Sequence, residues 1–224
     1  MILKAEKAAR QFNRISGNSN IFYAVHETDF ELPGGLLTVL EGRSGSGKTT
    51  FLNMLSGLLR PTSGKILLDG KDIYSQTDKE LSRFRNDNYG IVPQGQTAIA
   101  TLTVMENVML PGTIYGRDEG LYEKAEKLLE RMGIADLADV LPRELSGGEL
   151  RRMAIARALI RDPKVIFADE PTSDLDDANT DIVFEILRDI AAEGKAVMVV
   201  THERNADKYA DRMYRMDAGV LMEC

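Results

Sequence analysis

Apolar positions along the chain follow two rhythms. Leu36-Leu37-Thr38-Val39-Leu40, Val165–Ala168 and Ala196–Thr201 are short, nearly unbroken apolar runs bounded by turn residues or acids. That pattern predicts strands buried on both faces. Elsewhere the spacing is helical. Ala125, Leu128, Leu129 and Met132 stand at i, i+3, i+4 and i+7, with Gly133 placed to end the helix. Ile182, Val183, Ile186, Leu187 and Ile190 form a second stripe that ends near Gly194. A further helix is predicted from Thr49 to about Leu59, where Arg60-Pro61 stops it. Residues 21–30 alternate weakly, Pro33-Gly34-Gly35 marks a turn, and Asp217-Ala218-Gly219 marks a hairpin. Strand, helix, strand with continuous apolar strands predicts an α/β fold on a mainly parallel sheet.

The first predicted strand runs directly into Gly42-Arg43-Ser44-Gly45-Ser46-Gly47-Lys48-Thr49, which matches G-x-x-x-x-G-K-[ST], and a predicted helix follows at once. Strand before and helix after is the context this phosphate-loop motif requires. Gly42, Gly45 and Gly47 let backbone amides approach phosphate oxygens, and the helix start adds its positive dipole end. Lys48 is placed to reach the β- and γ-phosphates, and the Thr49 hydroxyl to ligate Mg²⁺. Ser44, Ser46 and Thr50 complete the nucleotide-binding segment. The strand Val165–Ala168 ends in Asp169-Glu170. A parallel strand opens its C-terminal end onto the ligand crevice. Asp169 there can hold the Mg²⁺ shell, and Glu170 can deprotonate an attacking water. Leu145-Ser146-Gly147-Gly148-Glu149 precedes a helix predicted from about Leu150, a second glycine-lined helix start suited to anions.

Composition narrows the class. The 224 residues are 43% apolar and 28% charged, enough for a packed core without disulfides. A net charge of −7 counts against a duplex-DNA binder, which carries a basic surplus. The single cysteine, Cys224, excludes a disulfide framework and fits a reducing cytosol. The longest apolar run, Ala196–Val200, is far short of the roughly 20 residues of a membrane span. Arg151, Arg152, Arg157 and Arg161 read as a solvated or interface face of their helix, and His26 as structural.

With two anion-binding helix starts and one metal centre, the sequence resembles the nucleotide-binding subunits of ABC transporters over nearly its whole length. LSGGE at 145–149 is similar to their signature motif. Gln94 in Ile91-Val92-Pro93-Gln94 is similar to the Q-loop, Ser173-Asp174-Leu175-Asp176 to the D-loop, and His202 to the switch histidine. Residues 102–108 resemble the branch that serves lipoprotein release, macrolide export and cell division.

The resemblance implies a P-loop NTPase core with an N-terminal antiparallel β region and an inserted α-helical subdomain. Residues 1–94 and 161–224 would form the core, and 95–160 the helical subdomain, within a single cassette. It implies an ATPase with ATP and Mg²⁺ as cofactors. Gln94 would contact Mg²⁺ and sense the membrane partner, His202 would contact the γ-phosphate, and Asp176 would line a dimer interface. Ser146, Gly147, Gly148 and Glu149 would close on ATP held by a second copy, giving an ATP-linked homodimer or pseudo-symmetric dimer. A separate transmembrane permease, no nucleic acid, and a place on the cytoplasmic face of the membrane complete the expectation. The alternative is a mechanical or regulatory ATPase that signals across a membrane without moving a solute. An aromatic that stacks on adenine is expected upstream of the phosphate loop, as Phe12 or Tyr23. Glu149 stands where many relatives have Gln, and Asp174 where a small residue is common.

Overall fold

The computed structural model describes residues 2–13, 21–95, 97–116 and 119–224. Two long strands open the chain, β1 (Ile2–Asn13) and β2 (Ile21–Pro33), paired antiparallel. The turn at Gly35 leads into β3 (Leu37–Glu41), which the phosphate loop joins to α1 (Lys48–Leu55). Strands β4 (Ser63–Leu68) and β5 (Lys71–Asp72) return to β1, completing a four-stranded antiparallel sheet of order β2-β1-β4-β5. Helix α2 (Asp78–Asn88) begins with a capping box between Thr77 and Glu80, and β6 (Tyr89–Val92) follows.

Helices α3 (Val104–Thr113), α4 (Leu121–Arg131) and α5 (Gly147–Leu159) are inserted between β6 and β7 (Val165–Asp169). The chain then runs through α6 (Asp177–Ala192), β8 (Ala196–Thr201), β9 (Arg212–Asp217) and β10 (Val220–Glu223). The second sheet has the order β10-β9-β3-β8-β7-β6, parallel throughout except for β10, which pairs antiparallel with β9.

The parallel sheet is covered on both faces, as its unbroken apolar strands predict. Alternate residues feed two cores. Val165, Phe167, Ala196, Met198 and Val200 pack with α1 and the antiparallel sheet, through Phe51, Leu55, Leu3 and Phe30. Ile166, Ala168, Val197 and Val199 pack on the other face with α3–α6, through Val108, Leu129, Ile155 and Leu187. Helix α1 is thus pinned between two sheets, which holds its N-terminus at the C-terminal edge of the parallel strands.

Two boundaries differ from the sequence expectation. Helix α1 ends at Leu55, because Gly57 takes a left-handed conformation (φ 75°) before the proline is reached. Helix α5 starts at Gly147 and takes both signature glycines into its first turn, since the Ser146–Glu149 capping box begins it there. Ala125, Leu128 and Leu129 lie on α4, which starts at Leu121 behind a left-handed Gly120, and Met132 is its C-cap.

Candidate active site

A cleft of about 1740 Å³ lies at the C-terminal edge of the parallel sheet. The whole segment Gly42–Thr50 lines it, together with Gln94, Glu170 and His202, and Phe12, Phe22 and Tyr23 form one wall.

The loop is held from outside. Gly47 has φ 109°, and a Cβ there would run into the carbonyl oxygen of Ala24 on β2. Only glycine fits that close approach. Ser46 O accepts from Gly219 N (2.8 Å), and Gly219 O accepts from His26 N (2.8 Å), so the β9–β10 turn clamps the loop. Gly47 caps α1 without any side-chain hydrogen bond. The first amides of a helix have no acceptor within it, so these donors stay available to an anion. Lys48 is buried, and its ammonium spans the loop, donating to Gly42 O (2.7 Å) and Arg43 O (3.2 Å).

Asp169 closes β7 and is buried, with Oδ1 lacking a hydrogen-bond partner among the described residues. Burial raises its pKa above the ordinary carboxylate value; a hydrogen bond with Thr49 and the charge of Lys48 oppose this, while Glu170 adds to it. A buried, orphaned carboxylate oxygen beside a threonine hydroxyl fits a small divalent cation. Among the described residues, no group of three or more His, Cys, Asp or Glu could hold a metal.

Glu170, next in the chain, has φ 48°, a left-handed conformation that is uncommon outside glycine and concentrates at functional sites. Its amide donates to Val200 O (2.8 Å), and its carboxylate turns to His202. Oε2 lies 2.8 Å from His202 Nδ1 and accepts from His202 N at 3.3 Å. The Glu170 side chain is 9% exposed and that of His202 63%, so the ring covers the carboxylate from the solvent side. The loops after β7 and β8 are further tied where Thr172 Oγ1 donates to Glu203 Oε1 (2.8 Å).

On the aromatic wall, Phe12 stacks on Phe22 (5.8 Å between centroids) with the Arg10 guanidinium 4.7 Å from its ring. Tyr23 stacks on His26 at 4.8 Å. Both candidates for the adenine therefore line the cleft, and His26 finds its place as the partner of Tyr23.

The signature segment lies apart. Ser146, Gly147, Gly148, Glu149 and Asp176 do not line this cleft. Ser146 caps α5: its backbone N–H and its hydroxyl both donate to Glu149 Oε2 (2.7 Å each), and Glu149 N donates back to Ser146 Oγ (3.4 Å). These bonds hold the Glu149 carboxyl below its usual pKa, the backbone bond contributing most. Asp176 caps α6 through Asn179 N (2.8 Å), and a Cβ on Gly148 would run into the Asn179 side chain. Signature and D-loop are thus neighbours within the chain.

The arginine run is corrected. Of its two readings the solvated face is the one overturned: Arg151 donates to Pro93 O (3.0 Å), Arg157 to Thr97 O (2.9 Å) and Oγ1 (2.6 Å), and Arg161 to Asp87 Oδ1 (2.6 Å). Arg152 reaches Asn179 Oδ1 (3.4 Å). Asn107, within the 102–108 segment, is fully buried, and its Nδ2 donates to Ile99 O, Leu102 O and Thr103 O. A polar residue amid Val104, Met105 and Val108 is the sequence signal for it.

Comparison with known proteins agrees with this geometry. The family model described as ABC transporter matches residues 25–173. The lipoprotein-releasing system ATP-binding protein LolD of Shewanella oneidensis is 40% identical over 197 residues, 87% of this chain and 86% of that protein. The macrolide export ATP-binding/permease protein MacB of Chlorobaculum tepidum is 42% identical over 84% of this chain but only 29% of its own length. Among solved structures, the post-hydrolysis dimer of the ATP-binding cassette MJ0796 with ADP and Pi superposes with a TM-score of 0.88 at 32% identity. It covers 99% of this chain and 97% of its own.

Proposed function

The chain belongs to the ABC transporter family as an ATP-hydrolysing cassette, and from that premise we propose that it powers a separate membrane permease by ATP-dependent closure of a dimer. Among the described residues, no helix is long and apolar enough to cross a membrane, and the separate permease is supported by the likeness to LolD, an ATP-binding protein of a lipoprotein-releasing system that the match covers to 86% of its length. The cassette would then sit against the cytoplasmic face of the membrane. In this reading residues 95–160 act as the helical subdomain that meets the permease, between the two parts of the core, 1–94 and 161–224.

Each residue has a chemical task. The amides of Gly42–Thr50 and the Lys48 ammonium bind the triphosphate, Lys48 exchanging its carbonyl acceptors for phosphate oxygens. Phe12 or Tyr23 offers a face to the base. Thr49 and Asp169 would hold Mg²⁺, with Gln94 at its edge, and the ion would neutralise charge on the phosphates. Because Glu170, the other buried carboxylate there, is turned to His202, the remaining ligands would come from phosphate and water. Glu170 accepts the proton of the attacking water. His202 holds that carboxylate through Nδ1 and presents the rest of its exposed ring to the γ-phosphate side.

The observation that carries the dimer is the division of the anion sites. One helix start lines the cleft, while the other, at Ser146, does not. A second copy would bring its Ser146, Gly147 and Gly148 to the nucleotide, with Asp176 in the seam, and loss of the γ-phosphate would release that link. Support comes from MJ0796, whose cassette is dimeric with ADP and Pi.

The test is Glu170→Gln. It should bind ATP, hydrolyse it at least about 100-fold more slowly, as expected for loss of a general base, and shift to dimer in light scattering when ATP is added. Near wild-type turnover removes Glu170 from its role, and a slow variant that stays monomeric at saturating ATP removes the dimer.

A further inference from the structure

Two arginines of α5 close on the loop that carries Gln94. Arg151 is buried, and its Nη1 donates to the carbonyl of Pro93, the residue before Gln94 (3.0 Å). Arg157 reaches Thr97, three residues beyond Gln94, through its carbonyl (2.9 Å) and hydroxyl (2.6 Å). Between these ties Gln94 is exposed and lines the cleft, and Gly95 is left-handed at φ 75°. The glutamine therefore rests on one helix at both flanks, and that helix is the one begun by Ser146.

Arg151 has a second neighbour. With Gly95, Thr97, Ser173, Asp174 and Leu175 it lines a small cavity of about 70 Å³, where the Gln94 loop, α5 and the segment after Glu170 meet. The Asp174 carboxylate opposes the effect of burial on the guanidinium. Arg151 thus faces the segment after Glu170 across this cavity while it holds Pro93. A side chain of similar length without donors would keep the packing and lose the bond to Pro93.

We infer that Arg151 is a positioning residue for ATP hydrolysis, setting Gln94 in the cleft and linking its placement to the signature helix. The inference rests on the reading of Gln94 given above. It separates Arg151 from a packing residue, because its effect must pass through Gln94.

Steady-state hydrolysis by the full chain tests it, using Arg151→Met, Gln94→Ala, the double variant and Arg151→Lys. Arg151→Met should lose about 10-fold in kcat, within the range expected when a reacting group is misplaced, with KM for ATP and calorimetric affinity unchanged. Arg151→Lys, which keeps one charged donor, should recover most of the rate. The double variant should be no slower than Gln94→Ala alone. Wild-type kcat in Arg151→Met, a loss expressed in KM instead, or a double variant slowed by the product of the single effects overturns the inference. If Arg151→Met does not fold, as judged by circular dichroism, Arg151→Gln, polar but too short to reach Pro93, takes its place with the same expectations. Wild-type kcat in Gln94→Ala overturns the role of Gln94 and the inference with it. A slow Gln94→Ala combined with multiplicative losses overturns the inference alone.

Discussion

Helices α1 and α5 both begin with glycines and both point a positive dipole end outward, yet their first turns are finished in opposite ways. At α1 the cap is a left-handed Gly47 with no side chain to satisfy the amides, and the buried Lys48 ammonium spans the loop before it. At α5 a capping box pairs the amides of Ser146 and Glu149, and the group it sets at the helix start is a carboxylate, Glu149. The first is an anion site built in advance, left open by the absence of any internal acceptor. The second already holds an anion of its own. A phosphate approaching Ser146 meets a hydroxyl that donates to Glu149 and a negative charge at the dipole end. The division of labour in the proposed dimer follows: one site binds nucleotide in the monomer, and the other engages it only when a second copy presents it.

The largest effect expected from this contrast is on the open site. Lys48→Ala removes a charge-assisted donor from a buried position, and the ATP dissociation constant should rise roughly 10- to 100-fold by calorimetry. The same variant should leave α5 untouched, so thermal stability without nucleotide should change little beyond the lost packing of one side chain. An unchanged affinity would mean that the amides alone hold the phosphates, and the two helix starts would then differ less than their structures indicate.

Next comes the closed site. Ser146→Ala deletes the cap of α5 at a cost of about 1 kcal/mol, read as a fall of roughly 2–4 °C in melting temperature for a domain of this size. ATP affinity of the monomer should stay as it is, while ATP-driven dimerisation in the Glu170→Gln background should weaken. A monomer that loses ATP affinity would place Ser146 on the nucleotide of its own chain and erase the contrast.

How far each site was legible follows the same line. Gly42–Thr49 is a contiguous run whose chemistry is set by neighbours in sequence, so its motif, its flanking strand and its flanking helix could all be read directly. Asp169-Glu170 and Ser146–Glu149 are equally local. What escaped reading depends on partners far along the chain. Arg151, Arg157 and Arg161 find their acceptors 58, 60 and 74 residues away, and no helical periodicity of their own segment shows whether an arginine faces water or a carbonyl. The left-handed turn of Glu170 is likewise invisible, because it is imposed by Val200 and His202 across the sheet. The parallel strands betrayed themselves through unbroken apolar runs. The long antiparallel pair β1–β2 did not, since register shifts after Ala5 and Ala8 break its alternation.

The smallest effect, and the one that bears most directly on the contrast, belongs to Glu149→Gln. Glutamine can still complete the capping box, so the helix start survives. What disappears is a negative charge at the positive end of α5, worth a few tenths of a kcal/mol at an exposed position. In the folded chain the Glu149 carboxyl titrates below its unfolded value near 4.5, because the Ser146 amide and hydroxyl favour the charged form. Its stabilising contribution is therefore complete above that value and is lost as pH falls through the folded pKa. Wild type should be slightly more stable than Glu149→Gln at neutral pH, and the gap should close in acid, as measured by denaturant midpoints from pH 7 down to about pH 3. Binding should move the other way. Without the resident carboxylate, Ser146 and the α5 dipole attract phosphate more strongly, so ATP-dependent dimerisation of Glu149→Gln in the Glu170→Gln background should tighten a few-fold, more at low salt than at high. A pH-independent gap would show that the charge contributes nothing to α5, and looser dimers would show that Glu149 assists the nucleotide instead of competing with it.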